Sequence, residues 1–181
     1  MKEIFKLTAT LTVVALLCSS LLAFVYVVTK EPIAKTAAAG KLAAVSAVMP
    51  EGSETPERRT FEGIEYYVAS RNGQPAGYAF EGASHNGYGG DVVLMVGISA
   101  SGTLVNFEIL QASETPGLGT KMGDESFRAP LRGRSVGNVE KWKVKKDGGE
   151  IDAITAATIS SRACAECIRD AIEKYRKVCP R

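Results

Sequence analysis

Four hydroxyl residues crowd one short stretch of the chain, Asp152-Ala153-Ile154-Thr155-Ala156-Ala157-Thr158-Ile159-Ser160-Ser161, just ahead of a long amphipathic segment. That order reads as the entrance to a terminal helix. Two kinds of chemistry suit hydroxyls there. Thr and Ser oxygens can accept from the first-turn amides that a helix leaves unpaired, giving a capped helix start. The same amides, at the positive end of the helix dipole, form a ready seat for a phosphate.

The spacing Asp152-x-x-Thr155-x-Ala157-Thr158 resembles the motif by which FMN is attached covalently, through its phosphate, to a threonine hydroxyl. That motif belongs to the FMN-binding domain of the membrane electron-transport subunits RnfG and NqrC. The resemblance implies Thr158 as the acceptor, with Asp152, Thr155 and Ala157 as flanking motif residues. The family usually has Gly where this chain has Ala156, and Ala, the smallest replacement, removes any positive-φ option at that position. A second stretch, Glu114-Thr115-Pro116-Gly117-Leu118-Gly119, resembles the family's loop against the flavin. The physics is compatible: Gly117 and Gly119 let backbone approach a planar ligand, Pro116 stiffens the loop, and Leu118 offers an apolar contact to a ring face. Glu114 and Thr115 complete this second candidate group. The passage Gly87-Tyr88-Gly89-Gly90-Asp91 is also similar to the family, so the resemblance covers roughly residues 61–178.

The elements that must position these residues follow from the pattern. With 181 residues, 45% of them apolar, and a net charge of +2, the chain suits one domain of ordinary size plus an appendage, and offers no case for nucleic acid as a partner. The appendage is the uncharged run from Leu7 to Val28. At about 1.5 Å per residue it reaches roughly 33 Å, enough for a hydrocarbon core of about 30 Å. A cleaved signal would have a shorter apolar region, and the Ala37-Ala38-Ala39 stretch that could imitate a cleavage site lies beyond Pro32. An uncleaved anchor is expected. Lys2 and Lys6 before the run and Lys30 and Lys35 after it leave orientation barely discriminated by charge. The short N-terminal stub and the family resemblance both imply a domain on the extracytoplasmic side of a bacterial inner membrane.

Beyond the anchor, Ile33, Ala37, Leu42, Val45 and Val48 share a helical face, bracketed by Pro32 and Met49-Pro50, and residues 51–60 read as a linker. Strands are expected over 61–70 and 76–81, joined at Asn72-Gly73, then a glycine-rich loop over 84–90. Further strands are expected over 91–98 and 104–110, a short helix over 124–131, and a strand around Trp142 over 139–144. The terminal helix carries Cys164, Cys167, Ile168, Ala171, Ile172, Tyr175 and Val178 on one stripe, with opposite-charge pairs at Arg162–Glu166, Arg169–Glu173, Asp170–Lys174 and Glu173–Lys177. Strands first and a helix last point to an α+β fold with an antiparallel sheet and a C-terminal helix. Three regions result: stub and transmembrane helix over 1–30, juxtamembrane helix and linker over 31–60, and the candidate FMN-binding domain over 61–181.

Other reactive residues read more plainly. Cys164-x-x-Cys167 lacks the His of a c-type haem site and the extra ligands of a zinc site, so no metal is expected; both thiols fall on the apolar stripe and read as core. One of them could pair with Cys179 in an oxidising compartment. His85 reads as a solvated loop histidine, and Lys121, Arg128, Arg132 and Arg134 as a solvated basic cluster that could also meet phosphate or an acidic partner. No Ser-His-Asp arrangement or paired catalytic carboxylates is visible.

What the resemblance implies is an RnfG-like subunit that relays electrons through FMN on Thr158, inside a membrane complex coupling ferredoxin or NADH oxidation to Na⁺ or H⁺ movement. Its partners would be the other subunits of that complex and a flavin transferase for maturation. Two competitors stand beside this reading. One is a stand-alone membrane-anchored flavoprotein serving another reductase. The other is a non-redox anchored assembly or binding protein in which the Thr158 region only caps a helix.

Overall fold

The computed structural model describes residues 1–179, so residues 180 and 181 of the expected 61–181 domain lie outside the described residues. The chain divides into two compact units, 1–40 and 41–181.

The first unit is helical. Helix α1 (Lys2–Ala47) includes the apolar run and is long and apolar enough to cross a membrane. Thr8, Thr12 and Thr29 fold their hydroxyls onto the carbonyls of Ile4, Thr8 and Val25 at 2.8–2.9 Å, so each polar group is paired inside its own helix. A separate helix beginning at Pro32 was expected; instead α1 runs through Pro32. The missing N–H removes one backbone bond and leaves the Val28 carbonyl without its donor, which bends or strains a helix without necessarily ending it.

The second unit holds a five-stranded antiparallel meander in the order β1 (Glu57–Phe61), β2 (Ile64–Arg71), β3 (Gln74–Gly87), β4 (Gly90–Ser99), β5 (Leu104–Gln111). The β2–β3 turn is Asn72-Gly73, with φ of 53° and 75°, the paired positive values of a primed hairpin turn. Residues 61–70 do not form one strand as expected. Glu62-Gly63, at φ 48° and 79°, cuts them into a second tight hairpin, and β1 takes up part of the expected linker. Every residue of Glu-Arg-Arg-Thr-Phe is exposed, so this edge strand shows no burial alternation and its charges blunt the open edge. The expected loop at 84–90 is strand as well, apart from its tip at Tyr88-Gly89.

Helix α3 (Thr158–Val178) lies on one face of the sheet. Cys164, Cys167, Ile168, Ala171, Ile172 and Tyr175 meet Phe80, Leu94, Val96, Ile98 and Phe107 in the main core. Gly82 sets the closeness of that packing. A Cβ there would lie 1.9 Å from the Cys167 carbonyl oxygen, so only glycine lets the helix backbone reach the strand. The opposite face is covered by Ala44, Val45, Val48 and Met49, which pack on Tyr67, Ala69, Ala79 and Met95. The α+β architecture is as expected.

Between β5 and α3 the chain forms short helical turns, among them α2 (Glu125–Arg128). The strand expected around Trp142 is absent: Val139–Lys141 is a 3₁₀ turn, and only a single parallel bridge joins Val144 to Ile151. Trp142 serves as a buried plug whose Nε1 donates to the Ser135 carbonyl at 3.2 Å, so its burial comes from a loop folding over rather than from pleating. The expected basic cluster is mostly structural. Arg128, with its side chain only 19% exposed, bonds the Phe107 carbonyl and Glu108, while Arg132 pairs with Glu125 and Arg134 donates to the carbonyls of Pro130 and Glu150.

Candidate functional site

At the mouth of α3 the structure forms a cleft of about 450 Å³. Its walls come from three separate places in the chain: Tyr88 from the β3–β4 tip, Glu114, Thr115, Leu118 and Gly119 from the loop after β5, and residues 156–160 from the start of α3. Thus Glu114, Thr115, Leu118, Gly119, Ala157 and Thr158 are brought together. Gly117, Asp152 and Thr155 do not line the cleft. Gly117 shapes the loop at φ 76° and donates its N–H to Thr120 Oγ1 at 3.0 Å. Asp152 is exposed and paired with Lys145 at 2.6 Å, and Thr155 is exposed in the turn before the helix.

The helix start differs from a capped one. The N-cap residue is Ala157, and no side chain caps it. First-turn amides have no intrahelical acceptor, so this helix presents its positive end to the cleft unmasked by a side chain. The hydroxyls have other work. Ser161 Oγ donates to the Ala157 carbonyl and accepts from Ile154 N–H, each at 2.9 Å, which fixes the turn against the helix. Ser160 Oγ donates to Glu114 Oε2 at 2.6 Å. Thr158 is half-buried at the first helical position, beside the exposed Ile159.

Ala156 corrects an expectation. The residue that was read as excluding a left-handed backbone adopts one, at φ 62°. Ala157 N–H bonds the Ile154 carbonyl at 3.0 Å, making Ala156 the third residue of a turn whose geometry calls for positive φ there. Closure of that turn and burial of Ala157 hold the alanine in a conformation that costs an L residue roughly 1–2 kcal/mol.

Glu114 is the hub of the cleft. It is a buried carboxylate, 8% exposed, whose Oε2 receives Ser160 Oγ while Oε1 receives Gly89 N–H at 3.4 Å. It therefore ties all three walls together. Gly119 gives it room: a Cβ there would stand 2.5 Å from both Glu114 Oε2 and Ser160 Oγ. Sequence reasoning missed Tyr88 and Ser160. Tyr88, 70% exposed and flanked by glycines at a hairpin tip, carried a signal only in the glycine spacing around it. Ser160 was visible only as one hydroxyl among four.

The remaining candidates lie elsewhere. His85 sits in β3, not in a loop, and its Nδ1 is 2.8 Å from Asp91, whose carboxylate raises the imidazole pKa above its ordinary value. Cys164 and Cys167 are buried as expected. Burial pushes the Cys164 thiol far up and that of Cys167 to about 12, and Cys167 Sγ donates to the Val92 carbonyl at 3.3 Å. Cys179 is free, so no disulfide joins it to either. Among the described residues no cluster of His, Cys, Asp and Glu could hold a metal.

The family described as the FMN-binding domain matches residues 87–173, and a second family, the RnfG N-terminal region, matches residues 1–48. RnfG proteins, the G components of ion-translocating oxidoreductase complexes, are similar along most of the chain. That of Haemophilus influenzae strain PittEE is 33% identical over 83% of this chain and 79% of its own length, and that of Vibrio atlanticus is 30% identical over 90% and 86%. The relative from Vibrio vulnificus is 40% identical over a shorter stretch, 59% of this chain and 53% of its own length. The chain belongs to the RnfG family of ion-translocating oxidoreductase complexes. In fold it resembles the crystal structure of NqrC, the C component of the Na⁺-translocating NADH-quinone reductase, from Parabacteroides distasonis, with a TM-score of 0.51 at 21% identity, over 63% of this chain and 61% of that one.

The residues present fit FMN. The cleft volume falls within the roughly 300–1,000 Å³ of ligand sites. A helix start without a side-chain cap offers amides to a phosphate, and Tyr88, Leu118 and Ile159 offer partly exposed apolar surface to a planar ring.

Proposed function

We propose that the chain is the membrane-anchored electron-transfer subunit of an Rnf-type ion-translocating oxidoreductase, with its FMN joined by a phosphoester to Thr158. The observation that carries the site is the position of Thr158, on the first turn of α3 at the wall of the 450 Å³ cleft, where no side chain caps the helix. FMN would supply the one- and two-electron chemistry. The protein's residues hold and orient it. The α3 amides would hold its phosphate, Glu114 through Ser160 keeps the first turn in register with the loop 114–119, and Leu118 and Tyr88 would offer apolar cover to the ring.

The Thr158 hydroxyl is consumed once, during maturation. Its oxygen bonds the flavin phosphorus, its proton is lost, and a leaving group departs from the donor nucleotide held by a separate flavin transferase. Asp152 and Thr155, exposed on the approach to the helix and away from the cleft, suit recognition by that enzyme better than contact with the flavin. The domain would lie on the extracytoplasmic side, where a covalent bond keeps the cofactor from being lost to the medium. The other subunits of the complex are its partners.

Thr158→Val tests the linkage. The variant chain, co-expressed with a flavin transferase, is expected to fold yet show no flavin fluorescence on a denaturing gel. Retained fluorescence at the parental level would refute the assignment.

A further inference from the structure

The cleft at the mouth of α3 carries the wrong sign of charge for a seat of free phosphate. No Lys, Arg or His lines it, and the one carboxyl on its wall is Glu114. That side chain is buried, and its partners among the described residues are neutral: Ser160 Oγ donates to Oε2 at 2.6 Å and Gly89 N–H to Oε1 at 3.4 Å. Both oxygens accept, which is the role of an ionised carboxyl. Two glycines make the space for it. A Cβ at Gly87 would stand 2.7 Å from Oε1, and one at Gly119 would stand 2.5 Å from Oε2.

Charge decides which phosphate such a cleft tolerates. Aligned peptide dipoles give the start of α3 about half a positive charge. Glu114, bonded to Ser160 on the first turn, brings a whole negative charge to that end and more than offsets it. In a cleft with little water the repulsion of a second anion is screened less than in bulk solvent. Free FMN ends in a phosphate monoester, which carries roughly −1.5 to −2 at pH 7. Joined to a threonine hydroxyl, the same phosphate is a diester. The oxygen that takes the second ionisation is then tied up in the ester, and a single negative charge is left for the helix amides to hold.

We propose that Glu114 is a specificity-determining residue: its carboxylate turns free FMN away and leaves the cleft open to flavin whose phosphate is esterified to Thr158. The proposal rests on the reading of this cleft as the flavin site. Occupancy then requires the maturation step, because an unmodified chain gains nothing from the phosphate that free FMN offers.

The test uses the full chain, made without a flavin transferase and solubilised in detergent, titrated with FMN and with uncharged riboflavin by quenching of flavin fluorescence. The ratio of the two affinities isolates the phosphate, since a merely structural role of Glu114 would move both flavins together. We expect the parent to bind FMN no more tightly than riboflavin. Glu114→Gln, which keeps an acceptor for Ser160, is expected to bind FMN at least tenfold more tightly than the parent, with riboflavin near its parental affinity. A folded Glu114→Gln chain that gains nothing for FMN, or gains equally for riboflavin, would overturn the proposal. So would a parent that prefers FMN to riboflavin tenfold, a result that needs no variant to fold. Covalent loading of the parent by a transferase, read in parallel, separates the two claims. Loading with no gain by Glu114→Gln overturns this role of Glu114 alone, whereas a parent that neither loads nor binds riboflavin overturns the flavin reading and the proposal with it.

Discussion

Glu114 and Ser160, 46 residues apart in sequence, meet through a 2.6 Å hydrogen bond inside the protein. This one contact joins the loop after β5 to the first turn of α3, and with Gly89 it closes the cleft on three sides. Ser160→Ala would strand a buried carboxylate on a single long contact. We expect a loss of about 1–3 kcal/mol in the urea unfolding of the detergent-solubilised chain. Glu114→Gln keeps an acceptor for Ser160 and is expected to lose less. Equal losses for the two would show that charge, not the bond, holds the loop.

Ala156 gives a prediction of opposite sign. Glycine at its φ of 62° relieves left-handed strain, so Ala156→Gly is expected to raise stability by about 1 kcal/mol, net of the extra freedom of the unfolded chain. Ala156→Val, β-branched at positive φ, is expected to destabilise. Denaturant midpoints of the two variants check both signs. A destabilising glycine would mean the turn relaxes without cost for alanine.

The terminal helix, the β2–β3 turn at Asn72-Gly73 and the strands over 91–98 and 104–110 were legible because each carries a local signal: a stripe, a dipeptide that accepts positive φ, or an apolar run. What was hidden had its cause elsewhere in the chain. β1 has no alternation because both its faces meet solvent. The strand at 84–87 looked like loop because Gly87 serves a close contact, not a turn; Gly82 before it makes room for the Cys167 carbonyl in the same way. Trp142 was read as strand because bulk and burial do not distinguish a pleat from a folded-over loop. At the cleft, motif resemblance singled out Thr158 and Glu114, both of which line it, but local sequence could not show that Ser160 bonds Glu114 or that Ala156 is left-handed. Both follow from long-range closure.

Cys164 and Cys167 should be silent toward thiol reagents. With both thiols buried and raised, Cys167 to about 12, their modification at pH 8 is expected only after unfolding. Mass mapping of alkylated peptides, native against denatured, checks this. Rapid native labelling of either would show that the helix opens from the sheet.

His85 offers a clean titration, since it is the chain's one histidine. Asp91 raises its pKa, so the pair contributes stability that is fully present below the unfolded value of about 6.5 and is lost as pH rises through the higher folded value. We expect the imidazole NMR signals to titrate above the ordinary value, and to return to it in Asp91→Asn. An unchanged midpoint in that variant would remove Asp91 as the cause.

The most direct measurement is the intact mass of the denatured full chain after co-expression with a flavin transferase, followed by peptide mapping. One FMN less one water, carried by the peptide that contains Thr158 and lost in a folded Thr158→Val chain, is the expected result. An unmodified mass, or a flavin found on any other residue, would contradict Thr158 as the point where this chain holds its cofactor.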